Sequence, residues 1–305
     1  MKKMRDVTLT KRSFALFAAL ALVVGCHKRE QPVSSKPGET KKTDDTPSTG
    51  KGGDMTKEVK GKYADINGLK MYYEIHGTGK PLVALHGAFG KANVHPALAK
   101  GRQVIAVELQ GHGHTGDIDR PLTYTQMADD VAALLRHLEV KKADVFGYSM
   151  GGNVALAFAI RHPDLTGKVV INGSHFGKLK DAYEPATFAQ FESLPADFAP
   201  AMLKGPYDEI APDPKQWPVV VAKVKKLGLT FEGFTREDMK AIKSPVLIAL
   251  GDRDGVRPEH AVEMFRLIPN AQLALFPGAD HFLIFQHPEK LFATVVAFLD
   301  APTPG

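Results

Sequence analysis

The sequence predicts an α/β domain: a mostly parallel sheet covered by helices on both faces. Three observations carry this. Short apolar runs of strand length alternate with segments of helical period. The stretch Gly147-Tyr148-Ser149-Met150-Gly151-Gly152 joins one such strand to one such helix through a turn of small residues. Residues 61 to 305, about 245 in number, form a segment long enough for one large domain with a well-buried core.

Taken in order, the first 25 residues predict no part of that fold. Lys2, Lys3, Arg5, Lys11 and Arg12 give a positive start, and Phe14 to Gly25 is almost purely apolar. That run is too short to span a bilayer and suits a signal-peptide core. It ends in Val23-Val24-Gly25-Cys26, which resembles a bacterial lipobox, and Cys26 is the sole cysteine of the chain. The resemblance implies cleavage before Cys26 and its acylation; the rival is an ordinary signal peptide with an incidental cysteine, although such signals end in small-x-small instead. Thr10-Lys11-Arg12-Ser13-Phe14 is similar to an imperfect twin-arginine signal. Residues 26–60 are rich in Lys, Thr, Ser, Pro and Gly with almost no large apolar residue, the composition of a flexible tether. The expected location is therefore the bacterial cell envelope, exported and lipid-anchored. His27 rather than Asp after the cysteine implies the outer membrane in a Gram-negative cell. Much of the net charge of +5 sits in the signal and tether, which argues membrane proximity and not nucleic-acid binding.

From residue 61 the elements alternate. Tyr63–Asn67 and Lys70–His76 flank Gly68 as a hairpin. Pro81–Leu85 and Val104–Val107 are apolar strands. Thr123-Tyr124-Thr125-Gln126 fits a capping box that opens a helix to about Leu138. Ala143 to Phe146 is the strand before Ser149, and Asn153 to Ile160 the helix after it. Lys168–Asn172, Pro245–Leu250 and Gln272–Phe276 continue the strands; Pro258–Leu267 and Pro288–Leu299 continue the helices. Residues 175–242 break the rhythm with many Pro, Phe and Lys, and predict an inserted helical lid.

The Gly-x-Ser-x-Gly pattern by itself arises by chance in roughly one chain in fifteen of this composition, so its surroundings decide. Those surroundings resemble the α/β-hydrolase superfamily over essentially all of 61–305. Leu85-His86-Gly87-Ala88 is similar to the loop after the third strand, and Gln110-Gly111-His112-Gly113 to the Gly-His-Gly turn after the fourth. Gly251-Asp252-Arg253-Asp254 is similar to the acid turn, and Ala279-Asp280-His281-Phe282 to the histidine loop. The order Ser, Asp, His matches this family.

The resemblance implies Ser149 as nucleophile, His281 as general base and Asp254 as the acid that orients the imidazole. The backbone N–H groups of Ala88 and Met150 would form the oxyanion hole. Each assignment has a rival. Asp252 shares the turn of Asp254, and His287, before Pro288, shares the region of His281 but is expected to cap the last helix. His86, His112 and His114 cluster like metal ligands, yet the resemblance makes the first two turn supports; His114 is unusual there and receives no role. Glu108 and Gln110 stand where the family usually has Asp and Arg. Serine at the elbow argues against haloalkane dehalogenases and epoxide hydrolases, which use aspartate.

The expected function is a carboxylic-ester hydrolase acting on a small-molecule substrate, with no cofactor and no metal. Cofactor-free haloperoxidase or perhydrolase chemistry and C–C or amide hydrolysis stay open, as does a membrane-tethered binding protein that lost catalysis. Phe176, Phe188, Phe191, Phe198, Met202, Trp217 and Phe231 either line an apolar substrate pocket or form the lid's own core.

Overall fold

The computed structural model describes residues 60–195, 198 and 201–302. The signal peptide, Cys26 and nearly all of the 26–60 tether lie outside the described residues.

Eight strands form one sheet in the order β1-β2-β4-β3-β5-β6-β7-β8. β1 (Lys62–Ile66) and β2 (Leu69–His76) make the expected hairpin, with Ile66 opposite Leu69 across a two-residue loop. Asn67 and Gly68 both take positive φ, 50° and 85°, as a hairpin turn that follows the strands' twist requires. β2 pairs antiparallel with β4 (Arg102–Val107). From there β3 (Lys80–Leu85), β5 (Ala143–Tyr148), β6 (Thr166–Asn172), β7 (Val246–Gly251) and β8 (Ala271–Phe276) run parallel.

Side chains alternate between two cores, as the period of two in a strand demands. Val83, Leu85, Ile105, Val107, Val145, Ile248 and Leu250 face α2 (Tyr124–His137), α3 (Met150–Arg161), α8 (Arg236–Ala241) and α9 (Pro258–Leu267). Leu82, Ala84, Val104, Ala106, Phe146, Leu247 and Ala249 face α1 (Pro96–Ala99), α10 (Leu283–Gln286) and α11 (Pro288–Asp300). Every residue of β5 and of β7 is buried; β7 reads as a continuous apolar run in the sequence, and β5 does so apart from Asp144, whose carboxylate pairs with Lys80 and accepts the Lys168 N–H. Between β6 and β7 the chain leaves the sheet for α4 (Leu179–Ala182), α5 (Pro185–Ser193), α6 (Ala201–Ile210), a 3-10 turn and α7 (Trp217–Thr230), then α8.

Two capping expectations need correction. Thr123 Oγ1 does accept the Gln126 N–H, but the Gln126 side chain turns to Asp130 Oδ1 at 3.2 Å, so only half of the capping box forms. His287 occupies the cap position of α11, yet its side chain makes no cap bond.

Candidate active site

The parallel strands deliver their carboxyl ends to one edge of the sheet, and the serine, acid and histidine loops all sit there. Ser149 follows β5 and adopts φ 53°, ψ −118°, a region that costs a non-glycine residue on the order of 1–3 kcal/mol. The surroundings hold it. The Ser149 N–H donates to the Asn172 carbonyl at 2.8 Å; Gly152 N–H and the Ser174 hydroxyl both donate to the Ser149 carbonyl at 2.9 Å. The small residues are required: a Cβ on Gly147 would fall on the Gly151 carbonyl, and one on Gly151 would sit 2.5 Å from the Leu85 and His86 carbonyls.

The turn brings Ser149 Oγ to 2.9 Å from His281 Nε2, and His281 Nδ1 lies 3.0 Å from Asp254 Oδ1. A carboxylate only accepts, so Nδ1 carries the proton and Nε2 is free to accept from Ser149. The Asp254 side chain is 1% exposed and that of His281 19%. Burial works against the charged imidazole, but the Asp254 carboxylate, by charge and hydrogen bond, and the nearby Asp280 outweigh it; the His281 pKa lies above its ordinary 6.5. Asp254 Oδ1 also accepts the Val256 N–H at 3.0 Å, which fixes the carboxylate in its turn. Asp252, the rival acid, instead accepts the Gly278 N–H at 2.7 Å, away from His281. Asp280 accepts the Phe282 N–H and so closes a local turn.

Ala88 and Met150 line the same small cavity as Ser149. In α3 the carbonyl of Ser149 takes the N–H groups of Gly152 and Asn153, which leaves Met150 among the helix's unsatisfied first-turn donors. The loop carrying Ala88 is braced from below. His86 Nδ1 donates to the Gly87 carbonyl at 2.7 Å while its Nε2 accepts the Leu109 N–H at 3.1 Å. Burial and the neighbouring His112 push the His86 pKa down to about 3, so it stays neutral in this role.

Glu108 is buried beneath the loop. It accepts the Ala92 N–H at 3.0 Å on one oxygen and the His114 N–H on the other. His114 Nδ1 is 3.1 Å from the same carboxylate and its ring stacks on Tyr72 at 4.2 Å. His114 therefore joins the Gly-His-Gly turn to β2 and does not gather with His86 and His112 as ligands. Gln110 bridges Asp117 and Arg120. The two departures from the family pattern thus carry hydrogen bonds within the loops that frame the serine.

Sequence reasoning gives no functional role to Tyr148, His175, Tyr124 or Tyr183, since no motif marks them. Tyr148 donates its hydroxyl to the His281 carbonyl at 3.0 Å and ties the histidine loop to β5. The other three line the serine cavity, about 100 Å³ in volume. Of the seven aromatic and Met residues named for the inserted segment, Phe191 lines it. Phe176 stacks on His260, Trp217 packs on Tyr207, and Phe231 packs edge-on against Tyr124, as members of the core. Larger cavities lie elsewhere: about 650 Å³ behind the 86–96 loop against Phe146 and Phe292, and about 470 Å³ beside Arg236 and Arg266. Neither is lined by Ser149 or His281, so chemistry and not volume singles out the small one.

Residues 82–295 match the alpha/beta hydrolase family, and the chain belongs to it. The protein is an enzyme of the hydrolase class. It is 30% identical over 276 residues to the dihydrolipoyllysine-residue acetyltransferase component of an acetoin cleaving system of Pseudomonas putida, covering 81% of this chain and 71% of that one. It is 26% identical over 273 residues to an sn-1-specific diacylglycerol lipase of Mus musculus, covering 77% and 87%. A thermophilic esterase from Thermogutta terrifontis superimposes with a TM-score of 0.63 at 22% identity, over 79% of this chain and 98% of that one.

Proposed function

We propose that the protein is a carboxylic-ester hydrolase that works through an acyl-enzyme on Ser149. The observation that carries the reading is the continuous hydrogen-bonded path Ser149 Oγ, His281 Nε2, His281 Nδ1, Asp254 Oδ1, mounted on a strained turn. As Oγ attacks the ester carbonyl carbon, its proton passes to His281 Nε2. Asp254 stabilises the imidazolium, and the Ala88 and Met150 N–H groups take the charge that develops on the carbonyl oxygen. The C–O bond to the alcohol breaks and the alcohol leaves with the Nε2 proton. Water then gives a proton to Nε2 and its hydroxide to the acyl carbon, which releases the acid and restores Ser149. Losing one oxyanion donor would cost roughly 3 kcal/mol of barrier.

Turnover of p-nitrophenyl acetate and butyrate, with Ser149→Ala as control, tests this. Activity that survives the substitution would remove the mechanism. A fluorophosphonate probe that fails to label the wild-type protein would favour the alternative of a tethered binding protein.

The reading extends to the N-terminus. Cys26 would be acylated and hold the domain at a membrane of the cell envelope through the 26–60 tether, supported by the Val23-Val24-Gly25-Cys26 sequence. Incorporation of a palmitate analogue that is lost in Cys26→Ser, with release from the membrane fraction, is the expected result.

A further inference from the structure

The serine cavity has two unlike walls. One is apolar and includes Leu179, Val224 and Leu227. The other holds Tyr124 at the start of α2, His175 just beyond β6, and Tyr183 after α4. Tyr124 and His175 are almost wholly buried, 6% and 4% exposed. The three rings stand edge to face, with His175 6.5 Å from Tyr124 and 6.1 Å from Tyr183 between ring centres.

Three of their polar atoms have nothing to bind among the described residues, namely the two tyrosine hydroxyls and His175 Nε2. Among the described residues neither tyrosine hydroxyl has a hydrogen-bond partner, and both touch free space instead of packed protein. Burial raises both phenol pKa values far above the ordinary 10, with Asp254 adding to that of Tyr183, so both remain donors. His175 Nδ1 lies 2.7 Å from the Gly177 carbonyl, an acceptor, and must therefore carry the ring's proton. Burial lowers the His175 pKa to about 4, so Nε2 keeps its lone pair at neutral pH and offers an acceptor. The cavity thus presents two O–H donors and one nitrogen acceptor on this wall, with the carboxamide of Asn153, whose Nδ2 donates to the His175 carbonyl at 2.6 Å, beside Ser149.

That set selects among ligands. Among the described lining residues none carries a formal charge at neutral pH, and a second carboxylate would meet the lone pair of His175 with no cation to balance it. A plain alkyl chain would leave buried polar atoms unpaired. A hydroxyl satisfies both kinds, since it accepts from a tyrosine and donates to Nε2. The site is the smallest of the cavities described, about 100 Å³ against about 470 and 650 Å³, and suits a short acyl chain.

We propose that the substrate is an ester of a short hydroxy acid whose hydroxyl is held between Tyr124, Tyr183 and His175. This rests on the reading of Ser149 as nucleophile. Tyr124, Tyr183 and His175 are specificity-determining residues in it and take no part in the acyl transfer.

The test compares p-nitrophenyl 3-hydroxybutyrate with p-nitrophenyl butyrate on the full chain, in the wild type, Tyr124→Phe and Tyr183→Phe. The readout is the ratio of the two kcat/KM values within each protein, which cancels any loss of correctly folded enzyme. The wild type is expected to favour the hydroxylated ester about tenfold, and each Phe variant to reduce that ratio several-fold, the range of one hydrogen bond. A wild-type ratio near one, or a ratio unchanged in both variants, overturns the proposal and leaves the esterase reading standing. Should neither ester turn over, the esterase reading fails. Binding of methyl 3-hydroxybutyrate and methyl butyrate to Ser149→Ala, followed by saturation-transfer NMR, then decides the subsite. Preference for the hydroxylated ligand upholds it, and equal or reversed binding overturns it.

Discussion

Replacing Asp254 by Asn isolates the charge in the proposed triad. The amide oxygen is able to keep both bonds that Asp254 Oδ1 makes, to His281 Nδ1–H and to the Val256 N–H, each 3.0 Å long. Shape and tautomer then persist while the negative charge disappears. The imidazolium formed during acyl transfer loses a counter-ion at hydrogen-bond distance, an attraction on the order of 4–5 kcal/mol at an effective dielectric of about 20. The expected fall in kcat is about 10³-fold or somewhat more. A second signature follows from the His281 pKa. His281 accepts a proton only when neutral, so the rate falls as pH drops through its pKa, which lies above 6.5. Removing the Asp254 charge removes the main influence that raises it and leaves burial, which lowers it, opposed only by Asp280 and the retained hydrogen bond. The acidic limb of the pH–rate profile should therefore move to lower pH. The assay is p-nitrophenyl butyrate hydrolysis from pH 4.5 to 9, with Asp252→Asn as the control, since Asp252 serves only the Gly278 N–H. A loss of less than tenfold together with an unmoved limb would refute the reasoning.

Two further predictions concern stability. Burial holds His86 and His260 at pKa values of about 3 and His112 and His175 at about 4, against 6.5 in the unfolded chain. Their neutral form contributes stability fully above pH 6.5 and loses it as pH falls toward the folded values. At pH 5 each costs about 2 kcal/mol, from about 1.5 units at 1.36 kcal/mol each. His281, shifted the other way, offsets part of this below pH 6.5. Thermal melts should show a clearly lower Tm at pH 5 than at pH 7, and a flat profile would contradict the burial argument. Glu108→Gln should destabilise the protein by about 1–3 kcal/mol, because an amide offers one acceptor where the Ala92 and His114 N–H groups need two. Urea melts check this; an unchanged midpoint would show that the 86–92 loop does not depend on the carboxylate.

Much of the frame was legible because local patterns and global packing agree. β7 is buried on both faces and appears in the chain as an unbroken apolar run, and β5 does so apart from Asp144, whose buried carboxylate pairs with Lys80 and accepts the Lys168 N–H. Pro258–Leu267 was readable to its boundaries, since proline at the first helical position marks the start. The half-formed box at Thr123 was misread because Gln126 had another partner, Asp130, one turn further along the helix. The sequence cannot express such a choice between acceptors.

By itself the sequence determined the sheet, its order of strands and helices, and which serine, acid and histidine terminate its strands. These depend on period, turn chemistry and chain order, all of which are local. Tertiary structure alone decided that Glu108 and His114 brace the loop bearing Ala88 and that Tyr124, His175 and Tyr183 meet beside Ser149. Those three come from different strand ends and from an inserted helical segment, with no shared spacing. Their common feature is a polar atom left unpaired at the edge of one small cavity, a property of the packed molecule that no stretch of the chain carries alone.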